Sequence, residues 1–183
     1  MKLKYFGLLF IMFIQSCVSQ NIKSDNKENI SNAEYKNAEY SFSVSYPTEW
    51  NIHREILNDT VYKSAFIQLG MPKIYSEFEK TEIENSVTIR AFESESINNI
   101  KDLILNEYLR IDPTTTALEA EQGIGKNARI IYHDAPNGTK YKGKTYFKYQ
   151  NGLSYVITFM ATPGTFQKNL NKFEQFYLTL KLE

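Results

Sequence analysis

The sequence predicts an α+β domain, an antiparallel β-sheet flanked by helices, and three observations carry that prediction. Short stretches of alternating apolar and polar residues recur along the chain, and one pair is joined by Asn151-Gly152, a dipeptide suited to a two-residue hairpin turn. Two apolar stripes at helical spacing, Ile97 to Ile111 and Phe166 to Tyr177, are separated by strands. Leu153 to Ala161 is apolar on both faces, with Leu153, Tyr155, Ile157 and Phe159 on one and Val156 and Met160 on the other. That is the pattern of a central strand covered on both sides.

The chain opens with an address. Lys2 and Lys4 form a positive n-region, and Tyr5 to Ile14 is an apolar run of ten residues. A membrane-spanning helix needs about 20, so the run has signal-peptide length. Ile14-Gln15-Ser16-Cys17 resembles the lipobox of bacterial lipoproteins: an aliphatic residue at −3, a small residue at −1, then the only cysteine. The resemblance implies a signal peptide over residues 1–16, a diacylglycerol on the Cys17 thiol, and acylation of the new amino group by a fatty acid of the palmitate type. Cys17 is thus the lipidation site, and the lipid bilayer is its partner. Several acyl chains make such an anchor durable, since each buried CH₂ contributes about 0.8 kcal/mol and one chain alone binds only marginally. An ordinary secretory signal with an incidental cysteine is the alternative. Val18, where Asp would retain a lipoprotein in the inner membrane, favours the outer membrane by analogy, on its periplasmic or surface face.

Residues 17–33 read as the lipidated cysteine and a flexible tether. Val18, Ile22, Ile30 and Ala33 are the apolar members after Cys17, and they follow no period. Such a segment cannot bury enough surface to offset its chain entropy. As a coil it spans roughly 20 to 25 Å. Residues 34–183 form the domain. The full chain carries 21 basic and 21 acidic residues, and loss of Lys2 and Lys4 with the signal leaves 19 against 21. That balance offers no basic excess for nucleic acid. With Cys17 acylated there is no disulfide, so an aromatic-rich core of 13 Tyr, 12 Phe and one Trp has to hold the fold.

Taking the domain in order, Tyr40, Phe42, Val44 and Tyr46 alternate with serines as a strand that Pro47 ends. Trp50 reads as a core plug. Val61 to Leu69 and Val87 to Phe92 are strands, and Met71 to Asn85, with Glu77, Glu79, Glu82 and Glu84, reads as a long acidic loop. Ser96 caps the first helix, Ile97 to Ile111, and Pro113 stops it. Ala128 to Tyr132, Tyr141 to Tyr149 and Leu153 to Ala161 are strands. Thr162-Pro163 starts the second helix, with Phe166, Leu170, Phe173 and Tyr177 as its buried stripe. Leu178, Leu180 and Leu182 alternate as a last strand.

Two segments resemble PsbP-like domains. Tyr40 to Trp50, a strand ending in Tyr46-Pro47 with Trp50 after it, is similar to their opening. Gly152 to Leu182, containing Ala161-Thr162-Pro163-Gly164-Thr165-Phe166, is similar to their closing strand, helix and strand. The resemblance implies an α/β/α sandwich, shared by extrinsic subunits of photosystem II and a Ran-binding protein. It also implies docking to a larger partner rather than catalysis.

Several motifs are set aside on context. Gly138 to Thr145 matches the phosphate-binding G-x-x-x-x-G-K-T, but a strand-like Thr145 to Tyr149 follows where a helix is required. Alternation puts Lys140, Lys142, Lys144 and Lys148 on one face of that strand, expected to be a solvated or edge-protecting face. On that reading Lys144→Ala leaves stability near normal. Gly123 to Ala128 matches G-x-G-x-x-A, again with a strand after it. His53 and His133 are the only histidines, and His133 and Asp134 point to opposite faces of one strand. The acidic segment Glu77 to Glu84 has oxygen ligands for a hard cation, with a solvated loop as the other reading. No catalytic, metal or cofactor residue is therefore expected. The expected function is that of a lipid-anchored, non-catalytic accessory module for an unidentified envelope protein. The alternative is a carrier of a small apolar or aromatic ligand in a sheet–helix cleft.

Replacing residues 1–17 with an ordinary secretory signal should release the protein from membranes without unfolding it. Continued sedimentation of that variant with membranes after a high-salt wash would show that lipid at Cys17 is not the anchor.

Overall fold

A computed structural model describes residues 31–109, 115–120, 127–135 and 138–183, giving the backbone alone at 108–109 and 115–120. The signal, Cys17 and the tether up to residue 30 lie outside the described residues, as do Ile111, Pro113 and 123–126. The fold is α+β, with every strand pairing antiparallel. The elements run β1 (Asn32–Asn37), β2 (Phe42–Pro47), β3 (Asn51–Asp59), β4 (Ser64–Gly70), β5 (Ile74–Ser76), β6 (Thr81–Ile83), β7 (Ser86–Glu93) and α1 (Ile100–Leu109). Then follow β8 (Thr115–Ala120), β9 (Ala128–Asp134), β10 (Lys140–Gln150), β11 (Leu153–Ala161), α2 (Pro163–Leu178) and β12 (Lys181–Leu182).

The large sheet has seven strands in the order β3-β4-β7-β11-β10-β9-β8, and β11 is its middle strand, as its two apolar faces require. The hairpin into it turns at Asn151 and Gly152, both at positive φ, with Gln150 opposite Leu153. One face of β11 presents Tyr155, Ile157 and Phe159 to α2 and to a small sheet, β1-β2-β12. Phe159 lies between Phe166 and Phe173 of α2, at ring distances of 5.4 and 5.3 Å. The Tyr155 ring meets Phe42 edge-on, and its hydroxyl donates to the Tyr40 carbonyl at 3.0 Å. The other face packs Val156 with Phe147 and Phe92 against Ile97 and Leu103 at the α1 end.

Several elements differ from the sequence expectation. Strand β1 starts at Asn32, so the last two tether residues belong to the sheet. Its outward Glu34 and Lys36 hid the alternation with buried Tyr35 and Asn37. The edge strand β3 is exposed along most of its length and carries no apolar period. The acidic loop is a β-hairpin, β5–β6, closed at its base by the Met71 amide donating to the Asn85 carbonyl at 2.8 Å. Each of its strands is three residues long, too short to show a period. Asn99, not Ser96, caps α1: its Oδ1 accepts from the amides of Lys101 and Asp102 at 2.9 and 3.1 Å. Helix α2 runs through Leu178, leaving a last strand of only two residues. Thr162 and Pro163 start α2 as expected, and Phe176 joins Phe166 and Phe173 on its buried face.

Lys140 is exposed as expected, but from Lys142 to Lys148 the lysine face of β10 is covered rather than solvated. It lies under α2, where Lys142 sits over the Phe166 ring at 4.6 Å and Lys148 over Tyr177 at 5.2 Å. Lys144 pairs with Glu174 at 2.9 Å and its side chain is 12% exposed. Their apolar stems pack on the rings while the ammonium groups meet the quadrupoles. Between Lys144 and Lys148, Tyr146 stacks on Tyr177 at 3.9 Å and donates to Glu174 Oε2 at 2.6 Å. Burial, reinforced by that carboxylate, pushes the Tyr146 phenol up to about 12.

Trp50 is 3% exposed and stacks on Phe176 at 5.3 Å. Trp50→Ala should therefore cost about 3 to 5 kcal/mol, read as a lowered denaturant midpoint. Lys144→Ala should cost about 1 to 3 kcal/mol, because it removes the cation from a partly buried carboxylate and leaves it only the Tyr146 hydroxyl. An unchanged thermal midpoint would return that lysine to the solvated class.

Candidate functional site

The face of the large sheet opposite α2 is apolar at Ile131 and Met160, beside Gly143, and again at the α1 end. Two residues further along each strand it becomes polar, and the strand register aligns the polar positions into one row. Arg54 of β3 lies opposite Gln68 of β4, Gln68 opposite Thr88 of β7, Thr88 opposite Thr158 of β11, Thr158 opposite Thr145 of β10, and Thr145 opposite Arg129 of β9. Strands lie about 4.8 Å apart, so the row crosses roughly 24 Å of sheet. Thr145 and Thr158 share a hydroxyl hydrogen bond at 3.0 Å, while Gln68, Thr88 and Thr158 stay half-exposed. The arginines are held by rings on the α1 side: Arg54 over Phe66 and Arg129 over Phe147, each at 5.5 Å. Arg90 lies over Phe92 at 4.7 Å and pairs with Glu107 of α1.

Next to this row lies a cleft of about 360 Å³ that brings both histidines together. His53, Gln68, Glu84, Ser86, His133 and Tyr141 line it. The register of β3 shifts between Ile52 and Arg54, and this irregularity turns His53 to the same side as Arg54. His53 Nε2 lies 2.8 Å from Glu84 Oε1, and the pair rests on Gly70, where any side chain would overlap both groups. His133 stacks beside Tyr141 at 6.3 Å, with Asp134 exposed after it. The sequence singled out both histidines but gave no sign that the sheet would bring them together. A row of threonines, glutamine and arginines can offer donors and acceptors to an extended polar surface.

Other motifs fall elsewhere. Cys17 and residues 123–126 lie outside the described residues. Of the nucleotide-like stretch, Lys140 to Thr145 is strand β10. The acidic segment is divided between structural partners: Glu84 binds His53, and Glu79 reaches the start of α2, accepting from Ser76 and from the Gly164 amide. Burial raises the Glu79 carboxyl, but bonds from Ser76, Thr162 and the Gly164 amide outweigh it and hold the group below the ordinary value. Among the described residues no three acidic, His or Cys side chains are grouped to hold a metal. No described helix is long and apolar enough to cross a membrane.

No protein-family model matches the chain, and no curated protein sequence matches it. Solved structures do. A crystal structure from Bacteroides thetaiotaomicron is 19% identical with a TM-score of 0.43; the match covers 78% of this chain but 45% of that one. Cyanobacterial PsbP from Synechocystis is 10% identical, with a TM-score of 0.44, over 93% of this chain and 99% of that one. The Ran-binding protein Mog1p of Saccharomyces cerevisiae is 9% identical, with a TM-score of 0.48, over 84% and 96%. Each of these likenesses is one of fold.

Proposed function

We propose that the chain is a lipid-anchored, non-catalytic binding module of the cell envelope, which docks a larger partner through the polar row of its seven-stranded sheet. The row itself carries this reading. The opposite face of β11 is spent on the core, whereas Gln68, Thr88 and Thr158 stay half-exposed in register between Arg54 and Arg129. Interfaces favour arginines and tyrosines among hydrogen-bonding groups, and a row crossing six strands matches a macromolecular surface better than a small molecule. Acyl groups on Cys17 would keep the module at the membrane, with the outer membrane favoured.

A second reading is the small-ligand carrier, and one observation favours it. A groove of about 700 Å³ runs between β2 and α2, with Pro47, Pro72 and Phe176 among its lining. That volume lies within the range of ligand sites, about 300 to 1,000 Å³.

Photo-crosslinking side chains placed at residue 54 or 68 in living cells should each yield the same discrete adduct with one envelope protein. The same chemistry at Gln175, in the groove, should not. An adduct from residue 175 but from neither row position would overturn docking through the sheet face.

A further inference from the structure

The β5–β6 hairpin carries two exposed aromatic rings, Tyr75 at 51% and Phe78 at 78% exposure. It is nonetheless fixed. Glu79 binds the Gly164 amide, and Lys168 Nζ donates to the Tyr75 carbonyl at 3.0 Å. The hairpin also lies so close to Gly164 that a side chain there would meet Ser76, Glu79 and Phe78. Two exposed aromatic rings on one fixed hairpin are suited to a contact surface.

The position of the hairpin indicates the surface it would meet. The described chain enters β1 at Asn32, opposite Pro47. Asn32 lines the same groove as Pro72, at the root of the hairpin, and Lys172 of α2. The tether from Cys17 therefore joins the domain on the side where the hairpin projects. Lys73, Lys80, Lys168 and Lys172 are exposed there, against exposed Glu77, Glu82 and Glu49, while Glu79 is taken up by α2. Aromatic rings beside lysines suit the boundary between lipid headgroups and acyl chains. One ring pair is a weak anchor by itself. A short tether raises its effective concentration at the bilayer and makes weak insertion sufficient.

We propose that Phe78 and Tyr75 seat in the surface of the lipid bilayer and hold the anchored domain in one orientation against it. The inference rests on the anchoring part of the reading above. In the test, the full acylated chain carries Phe78→Cys, labelled with an environment-sensitive fluorophore, in vesicles of phosphatidylethanolamine and phosphatidylglycerol containing a nitroxide lipid. Val61→Cys, on the distant β3–β4 turn, is the control, and co-sedimentation of each chain with the vesicles is measured in the same samples. The label at 78 should shift to the blue and be quenched at least about twofold more than the label at 61. Co-sedimentation with equal quenching at both positions would overturn the orientation and leave the anchor standing. Quenching at 78 with membrane binding that survives loss of residues 1–17 would keep the proposal and remove the anchor. No sedimentation and no quenching would remove both. A label at 78 shielded from water but untouched by the nitroxide would show a protein there and overturn the lipid assignment.

Discussion

The structure depends on one requirement: strand β11 has to bury two apolar faces at once. A half-buried strand can sit at an edge, but a strand carrying Tyr155, Ile157 and Phe159 on one side and Val156 on the other needs neighbours on both sides and layers above and below. Its neighbours are β7 and β10. Its layers are α2 with the small sheet on one face and α1 on the other. The placing of every other element follows. Helix α2 comes straight out of β11 through Thr162-Pro163 and folds back onto it, and β12 then carries the chain into the small sheet that closes over Tyr155.

Polar and charged groups are fitted around this core in two distinct ways. Under α2 they are consumed: Lys144, Tyr146 and Glu174 satisfy one another, and three lysine stems cover aromatic rings. Beyond α1 they are presented. Arginines are braced on phenylalanines, threonines line up by register, and both histidines reach one cleft. The first arrangement stabilises the domain, and the second leaves it a surface with which to recognise something.

The sequence made the centre of the fold legible and the periphery much less so. Strand β11, its turn at Asn151-Gly152, the start of α2 and the burial of Trp50 could all be read, because each leaves a local mark in residue type or period. The strands β1, β3 and β8 could not. In β1 and β3 few apolar residues face inward, so the sheet and not their own pattern decides their state. The lysines of β10 fall on one face as alternation requires, but Lys142, Lys144 and Lys148 are covered, since alternation tells which residues share a face but not what lies over them. The polar row was illegible for the same reason. It is a property of register across six strands that meet from distant parts of the chain.

That distance has a consequence for how the protein assembles. The seven-stranded sheet is two meanders, β3-β4-β7 and β8-β9-β10-β11, and the seam between them is the pairing of β7 with β11, from Glu93 opposite Leu153 to Ser86 opposite Met160. Each meander closes short loops, while the seam closes a long one at a larger entropic cost. The first meander precedes the second in the chain, and its β7 edge is completed only by pairing with β11. Closing this seam therefore carries the largest loop-closure cost in the sheet, and an unpaired β7 edge is open to pairing with other chains.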